Sequence, residues 1–195
     1  MKNIHYFSGR LGNEMFRHAY LYTQVRDGII PDVYLQDPKY FEKYSSEIKS
    51  MFGTNITYLN QVGVHIRRGS NPTNPDEPKY KDNPFYVNLS ETDYYERAMA
   101  TFPTDDFLVF SDDPEWCKEK FKDNKRVEVL DKGDEVEDFN LLASCKSIIM
   151  ANSSWSWWAA YLCPHQNKKI IAPKQYYTDG VERTKYPKGE NWIII

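Results

Sequence analysis

Cysteine is scarce in this 195-residue chain. Cys117, Cys145 and Cys163 are an odd, scattered set without metal-ligand spacing, which excludes a disulfide framework and a zinc site and places the chain in a reducing cytoplasm. No stretch approaches the ~20 apolar residues that span a bilayer, and the opening MKNIHYFSGR has no apolar run of the signal-peptide kind. Neither sign of charge dominates: 25 basic against 28 acidic side chains leave a formal charge of -3. That balance excludes broad attraction to nucleic acid or anionic lipid, so any anion must be bound locally. Internal repeats, low-complexity tracts and a full GxGxxG fingerprint are also missing. Hydrophobic residues still make up 41% of the chain, enough for one real core and at the lower limit for two. Aromatic residues reach 15%, which serves core filling and ring stacking alike.

From Val62 onward, short apolar runs alternate with amphipathic stretches of helical length, the pattern of βαβ units on a parallel sheet. Strands are predicted over 62–67, 107–111, 126–130, 147–151 and 169–172. The intervening helices are predicted over 90–102, opened by a capping box of Ser90 and Asp93, and over 114–122, 135–145 and 152–163. Five strands and four helices make a nearly complete Rossmann-type doubly wound layer. Before it, a strand over 3–8, a tight loop, a helix over 14–26 and a second helix over 38–51 read as a partial α/β lobe. The expected organisation is a reduced N-terminal lobe (1–60), a Rossmann-type domain (61–175) and a C-terminal tail (176–195) that is irregular to 190 and packs back on the fold.

Three segments carry candidate chemistry. VGVHIRRG ends a predicted strand on Arg67 and Arg68, at the edge where open α/β sheets bind ligands. A guanidinium fork donates paired, charge-assisted hydrogen bonds to phosphate and never deprotonates; a solvated basic pair is the alternative. Alternation puts His65 on the same face as Arg67, where it reads as a hydrogen-bonded structural residue or a ligand contact. Asn152-Ser153-Ser154 heads the apolar helix, where free N–H groups and small hydroxyls suit phosphate, and where ordinary N-capping needs no ligand. Trp155, Trp158 and Ala159 follow helical spacing and read as core. Gly9-Arg10-Leu11-Gly12-Asn13 is a glycine-flanked loop that lets a backbone approach a ligand. Asp112 either caps the next helix or faces the crevice; Ser-Asp-Asp is not a DxD motif, so no metal-bound diphosphate is implied. Asp138 lies in an acidic helix start and also has the acceptor geometry that guanine needs.

In order along the chain, SGRLGNEMFRHAY, VYLQDPKYF, VGVHIRRGS, DYYERAM, LVFSDDPEWCK and DFNLLASCKSIIMANSSWSWWAAYL resemble the α-1,2-fucosyltransferase family, glycosyltransferase family 11. The resemblance implies two facing Rossmann-type lobes of the GT-B class. It implies transfer of L-fucose from GDP-fucose to a galactose hydroxyl, with inversion and without an essential metal or other cofactor. It further implies that His65 and Asp138 tend the guanine end, that Arg67 and Ser154 hold the diphosphate, and that Asn13, with Gly9, Arg10 and Gly12, faces sugar and phosphates. The implied partners are a GDP-sugar donor and a galactose-containing glycan, with no nucleic acid and no membrane span, in a bacterial or viral cytoplasm. Two departures stand out. Ser70 replaces the aspartate that usually follows HxRRG, leaving Glu14, Asp76 and Glu77 as candidate bases. The family also has more chain between the first helix and VYLQDPKYF, so the acceptor side is minimal, open, or completed by another subunit in a homo-oligomer. A non-catalytic GDP-sugar or glycan-binding module and a transferase for another GDP-sugar are the competing readings.

Overall fold

A computed structural model describes residues 11–27, 37–53, 55–69, 79–131, 133–182 and 184–195. Its centre is a six-stranded, wholly parallel sheet in the order β3-β2-β1-β4-β5-β6. The strands are β1 (Leu59–Ile66), β2 (Phe107–Ser111), β3 (Val127–Val129), β4 (Cys145–Ile149), β5 (Ile170–Ala172) and β6 (Trp192–Ile194). Six α-helices are described: α1 (Leu11–Asp27), α2 (Ser45–Phe52), α3 (Tyr94–Ala100), α4 (Pro114–Phe121), α5 (Glu135–Ser144) and α6 (Ser154–Leu162).

Period-2 alternation on strands covered on both sides divides the core into two clusters. Val62, Val64, Ile66, Phe107 and Val109 pack with Tyr94, Tyr95, Ala98 and Met99 of α3 and Cys117 of α4. Leu108, Phe110, Ile148 and Ile170 pack on the other face with α1, α2, α5 and α6. Gly63 is required on that second face, because a Cβ would meet Leu142 Cδ1 at 2.5 Å and Cys145 Sγ at 3.0 Å. Apolar on all sides, α6 is the buried keystone: Trp157 and Trp158 are fully buried, and the helix packs against α1 and α5. Phe16 of α1 meets both indoles, at 4.8 and 4.9 Å between ring centres.

The caps follow residue chemistry. Asp113 accepts from the Trp116 N–H (3.4 Å) with Pro114 behind it, and Asp134 accepts from the N–H groups of Val136 (2.9 Å) and Glu137 (3.1 Å). Three expectations are corrected. The capping box at Ser90 does not form; Ser90 lies in a 3-10 turn, its hydroxyl hydrogen-bonds Asn88 Oδ1 (2.6 Å), and α3 begins at Tyr94. The single helix expected over 38–51 is two 3-10 turns followed by α2, because Phe41 is held in non-helical backbone geometry while its ring is buried against Trp158 at 5.3 Å. The apolar end is a sixth strand, paired to β5 through Ile170↔Trp192 and Ile171↔Ile193, and not merely a packed tail. The strand expected over 3–8 lies outside the described residues.

Candidate functional site

Ligands of open parallel sheets bind beyond the carboxyl ends of the strands, where the strand order reverses. That place falls between the neighbours β1 and β4, from which the chain proceeds outward to opposite edges of the sheet. β1 leads into Arg67, while β4 leads through Asn152 to Ser153 and Ser154 at the head of α6.

Strand alternation separates the two arginines that end the VGVHIRRG segment. Arg68 follows Ile66 to the α3/α4 side and is buried there. Its Nε lies 3.3 Å from Asp113 Oδ2, its Nη1 donates to the Ser90 hydroxyl, and its guanidinium sits 3.9 Å from the Trp116 ring centre. A buried guanidinium needs such pairing, and Arg68 spends Nε and Nη1 anchoring the turn. Arg67 turns the other way. Its Nη1 pairs with Asp112 Oδ2, and its Cζ lies 5.2 Å from the centre of the Tyr80 ring. Tyr80 in turn donates its hydroxyl to Asn152 O at 2.7 Å.

His65 shares Arg67's face. Its ring centre is 4.7 Å from that of Trp155, and its Nδ1 is buried with no hydrogen-bond partner among the described residues, as is Trp155 Nε1. Burial pulls the imidazole pKa down to about 4, against the opposing influence of the Asp112 carboxylate, so the ring is neutral at pH 7. Tyr95 holds the strand here by donating its hydroxyl to His65 O (3.0 Å).

At the head of α6, Ser153 is the N-cap, its Oγ accepting from the Trp155 N–H at 3.3 Å. Ser154 instead donates its hydroxyl to Asn13 Oδ1 at 2.9 Å. Gly12 makes this possible: a Cβ there would sit 2.5 Å from Ser154 C and 2.6 Å from Trp155 N. The first turns of α1 and α6 therefore meet, and the positive ends of two helix dipoles lie side by side. Asn152 is scaffolding, its amide donating to Val87 O (2.8 Å) and Tyr176 O (3.1 Å).

Asp138 lies in the first turn of α5, where its Oδ2 accepts the Gly133 N–H at 3.2 Å. Burial raises its carboxyl above the ordinary value, opposed by the Gly133 amide and reinforced by Asp134 and Glu137. Phe139 beside it meets Trp155 at 5.7 Å, which links the start of α5 to the His65–Trp155 pair. Asp112 turns back on the β1 loop and accepts the N–H groups of Arg68 and Gly69, both at 2.8 Å, while its neighbour Asp113 caps α4. Burial pushes the Asp112 carboxyl up, but the Arg67 guanidinium and the two amides outweigh it and hold it below the usual value. Glu14 is paired with Arg17 at 2.6 Å. Gly9, Arg10, Ser70, Asp76 and Glu77 lie outside the described residues.

Tyr80, Tyr95 and Trp155 were not singled out as site residues from the sequence. Tyr80 follows a proline-rich loop that carries no periodic signal, and helical spacing made Trp155 read as core. Among the described residues, no group of three or more His, Cys, Asp and Glu side chains is placed to hold a metal ion, and no helix is long and apolar enough to cross a membrane.

The sheet is Rossmann-like, with an arginine and a helix head at the point where its strand order reverses. The chain belongs to glycosyl transferase family 11, whose description matches residues 18–195. It is 27% identical over 196 residues to the O-antigen biosynthesis glycosyltransferase WbnK of Escherichia coli, covering 88% of this chain and 62% of that protein. Identity to an α-1,2-colitosyltransferase of Escherichia coli is 29% over 180 residues, covering 82% of this chain and 60% of the relative. The galactoside α-(1,2)-fucosyltransferase 1 of Homo sapiens is 34% identical over 110 residues, covering 52% of this chain and 28% of the human protein. The chain thus spans about three-fifths of the length of the two bacterial relatives. No solved structure matches it significantly.

Proposed function

We propose that the chain binds GDP-fucose at the β1/β4 crevice and acts as an inverting glycosyltransferase, moving L-fucose to a galactoside hydroxyl in α-1,2 linkage. The observation that carries this reading is the placement of Arg67 and the heads of α6 and α1 at one reversal point of a parallel sheet. Arg67 and Ser154, with the amides of the first turn of α6, take the diphosphate oxygens and offset the charge that grows as GDP departs. His65, against the Trp155 ring, and Asp138, beside Phe139, take the guanosine end. Gly12 and Asn13, with Gly9 and Arg10 before them in sequence, are assigned to the sugar and phosphates by the family resemblance. The acceptor hydroxyl attacks the anomeric carbon from the face opposite the diphosphate: its C–O bond forms, the bond to the β-phosphate oxygen breaks, and the configuration inverts. The hydroxyl proton passes to a general base, for which Asp76 and Glu77 are better candidates than Glu14, whose carboxylate is engaged by Arg17. Arg67 and the helix heads supply the positive charge, so no step is assigned to a metal. In this reading the sheet is the donor lobe of a GT-B pair.

A second donor sugar is favoured by one observation: the similarity to the colitosyltransferase covers more of this chain than the similarity to the human fucosyltransferase. The two readings share the diphosphate site and differ in the sugar contacts. Calorimetry with GDP, followed by GDP release from a panel of GDP-sugars with and without galactosides, tests both. Release from GDP-fucose that depends on the galactoside is the expected result. Release from GDP-colitose alone selects the second reading, and GDP binding without release from any donor marks a binding module and overturns the transferase assignment.

A further inference from the structure

One carboxylate at the end of β2 organises the whole turn that follows β1. Asp112 Oδ1 accepts two backbone N–H groups, those of Arg68 and Gly69, each at 2.8 Å, and Oδ2 pairs with Arg67 Nη1. The turn is shaped around this carboxylate. A Cβ on Gly69 would sit 2.9 Å from Asp112 Cγ and 2.9 Å from Asp112 O, so the approach exists only because residue 69 is glycine. From the other side the Tyr80 ring lies 5.2 Å from Arg67 Cζ, and Tyr80 is itself held by its bond to Asn152 O and by a stack on Tyr86 at 4.6 Å. Arg67 is thus fixed between a carboxylate and a ring, and Nη1 is the one guanidinium nitrogen with a hydrogen-bond partner among the described residues. The remaining N–H groups of the fork have no hydrogen-bond partner among the described residues.

Asp112 is poorly suited to touch a diphosphate itself. Its oxygens are occupied by three N–H donors, and a carboxylate set against phosphate oxygens is a like-charge contact. We infer that Asp112 is a positioning residue that acts through Arg67, holding the guanidinium and the backbone of its turn in the geometry that receives the donor diphosphate. Such preorganisation improves binding by removing the ordering cost of a long, flexible side chain. The inference rests on the reading of Arg67 as the diphosphate ligand.

Asp112→Asn separates the two duties of the carboxylate, because an amide oxygen still accepts from Arg68 and Gly69 while the charge opposite Arg67 is lost. Its GDP affinity is measured by calorimetry, alone and in an Arg67→Ala background, with thermal melts confirming a folded protein. The expected result is roughly tenfold weaker GDP binding, about one decade in Kd, when Arg67 is present, and less than about twofold further loss when it is absent. Gly69→Ala, which displaces the carboxylate without changing any charge, is expected to reproduce the loss and serves if the Asn variant does not fold. GDP binding by both of these variants as tight as that of the unaltered protein overturns the inference, and so does an equal loss from Asp112→Asn in both backgrounds, which would make the effect independent of Arg67. If Arg67→Ala binds GDP normally, the diphosphate reading itself has failed and the inference goes with it.

Discussion

The two edges of the sheet each bury a cation, and they treat it differently. At the amino edge, Lys168 is 6% exposed, and its ammonium donates to Cys163 O (2.8 Å) and Ala160 O (3.3 Å) with Glu190 Oε2 at 3.8 Å. Burial lowers its pKa, and Cys163 and Glu190 act in the opposite direction. Two hydrogen bonds and an ion pair satisfy the ammonium, which closes the last turn of α6. The groove beside it, about 490 Å³ and lined by Lys49, Tyr58, His165 and Glu190 among others, likewise has its charges paired, Lys49 meeting Glu190 at 3.2 Å. At the carboxyl edge, Arg67 has one hydrogen-bond partner for its fork, and the neighbouring His65 Nδ1 and Trp155 Nε1 have none among the described residues. Burial of a charge is therefore not the mark of a site. The unpaired His65 and Trp155 nitrogens add a second feature at the carboxyl edge, because a buried polar group left unpaired costs ~1–3 kcal/mol that a ligand can recover.

The contrast is sharpest in activity. Arg67→Ala is expected to lower kcat for galactoside-dependent GDP release by ~10²–10³-fold, the usual cost of losing a donor to the leaving group. A variant with near-normal turnover would place the two edges on the same footing. A pH titration probes the next largest effect. Because the folded state holds His65 near pKa 4 while the unfolded chain titrates near 6.5, the unfolded state binds more protons between those values. Stability is complete above about pH 6.5 and falls by about 3 kcal/mol as the pH drops through 4. Asp112, whose carboxyl is held below its ordinary value, adds its own loss only in a lower window, beneath the model-peptide value of 3.8. Urea unfolding at pH 7 and pH 4.5 measures the His65 effect, and His65→Gln should remove most of that slope.

Gly12→Ala forces a methyl group against the Ser154 backbone at 2.5 Å and should cost ~1–3 kcal/mol as α1 is pushed off α6, visible as a lower Tm. Lys168→Met has the smallest expected effect on the crevice. It leaves the Cys163 and Ala160 carbonyls without their donor, should cost ~1–3 kcal/mol of stability, and should leave GDP affinity within about twofold. Loss of GDP binding in that variant would show that the amino edge is coupled to the crevice.

Much of this was legible in the chain. The strand over 107–111 and the start of the helix at Pro114 are where local pattern places them, because alternation, a capping aspartate and a proline at the first helical position agree. Ser153 and Ser154 read as cap or ligand group; Ser153 caps α6, while the Ser154 hydroxyl bonds Asn13 Oδ1. What escaped was set by distant neighbours. The 192–194 segment is a strand only because β5 offers it an open edge, and Tyr80 acquires a role only because the loop returns to Arg67, thirteen residues back in the sequence.

By itself, the order of residues determined a parallel α/β layer with two arginines and two serines at its carboxyl edge, since hydrophobic period and cap residues act over a few positions. Tertiary structure decided which arginine faces the crevice, and that Asp112, from the next strand, orients it. Adjacent residues on a strand point to opposite faces, so the two guanidinium groups of one dipeptide end on different sides of the sheet. The carboxylate that meets Arg67 lies 45 positions along the chain, brought within reach by the pairing of β1 with β2.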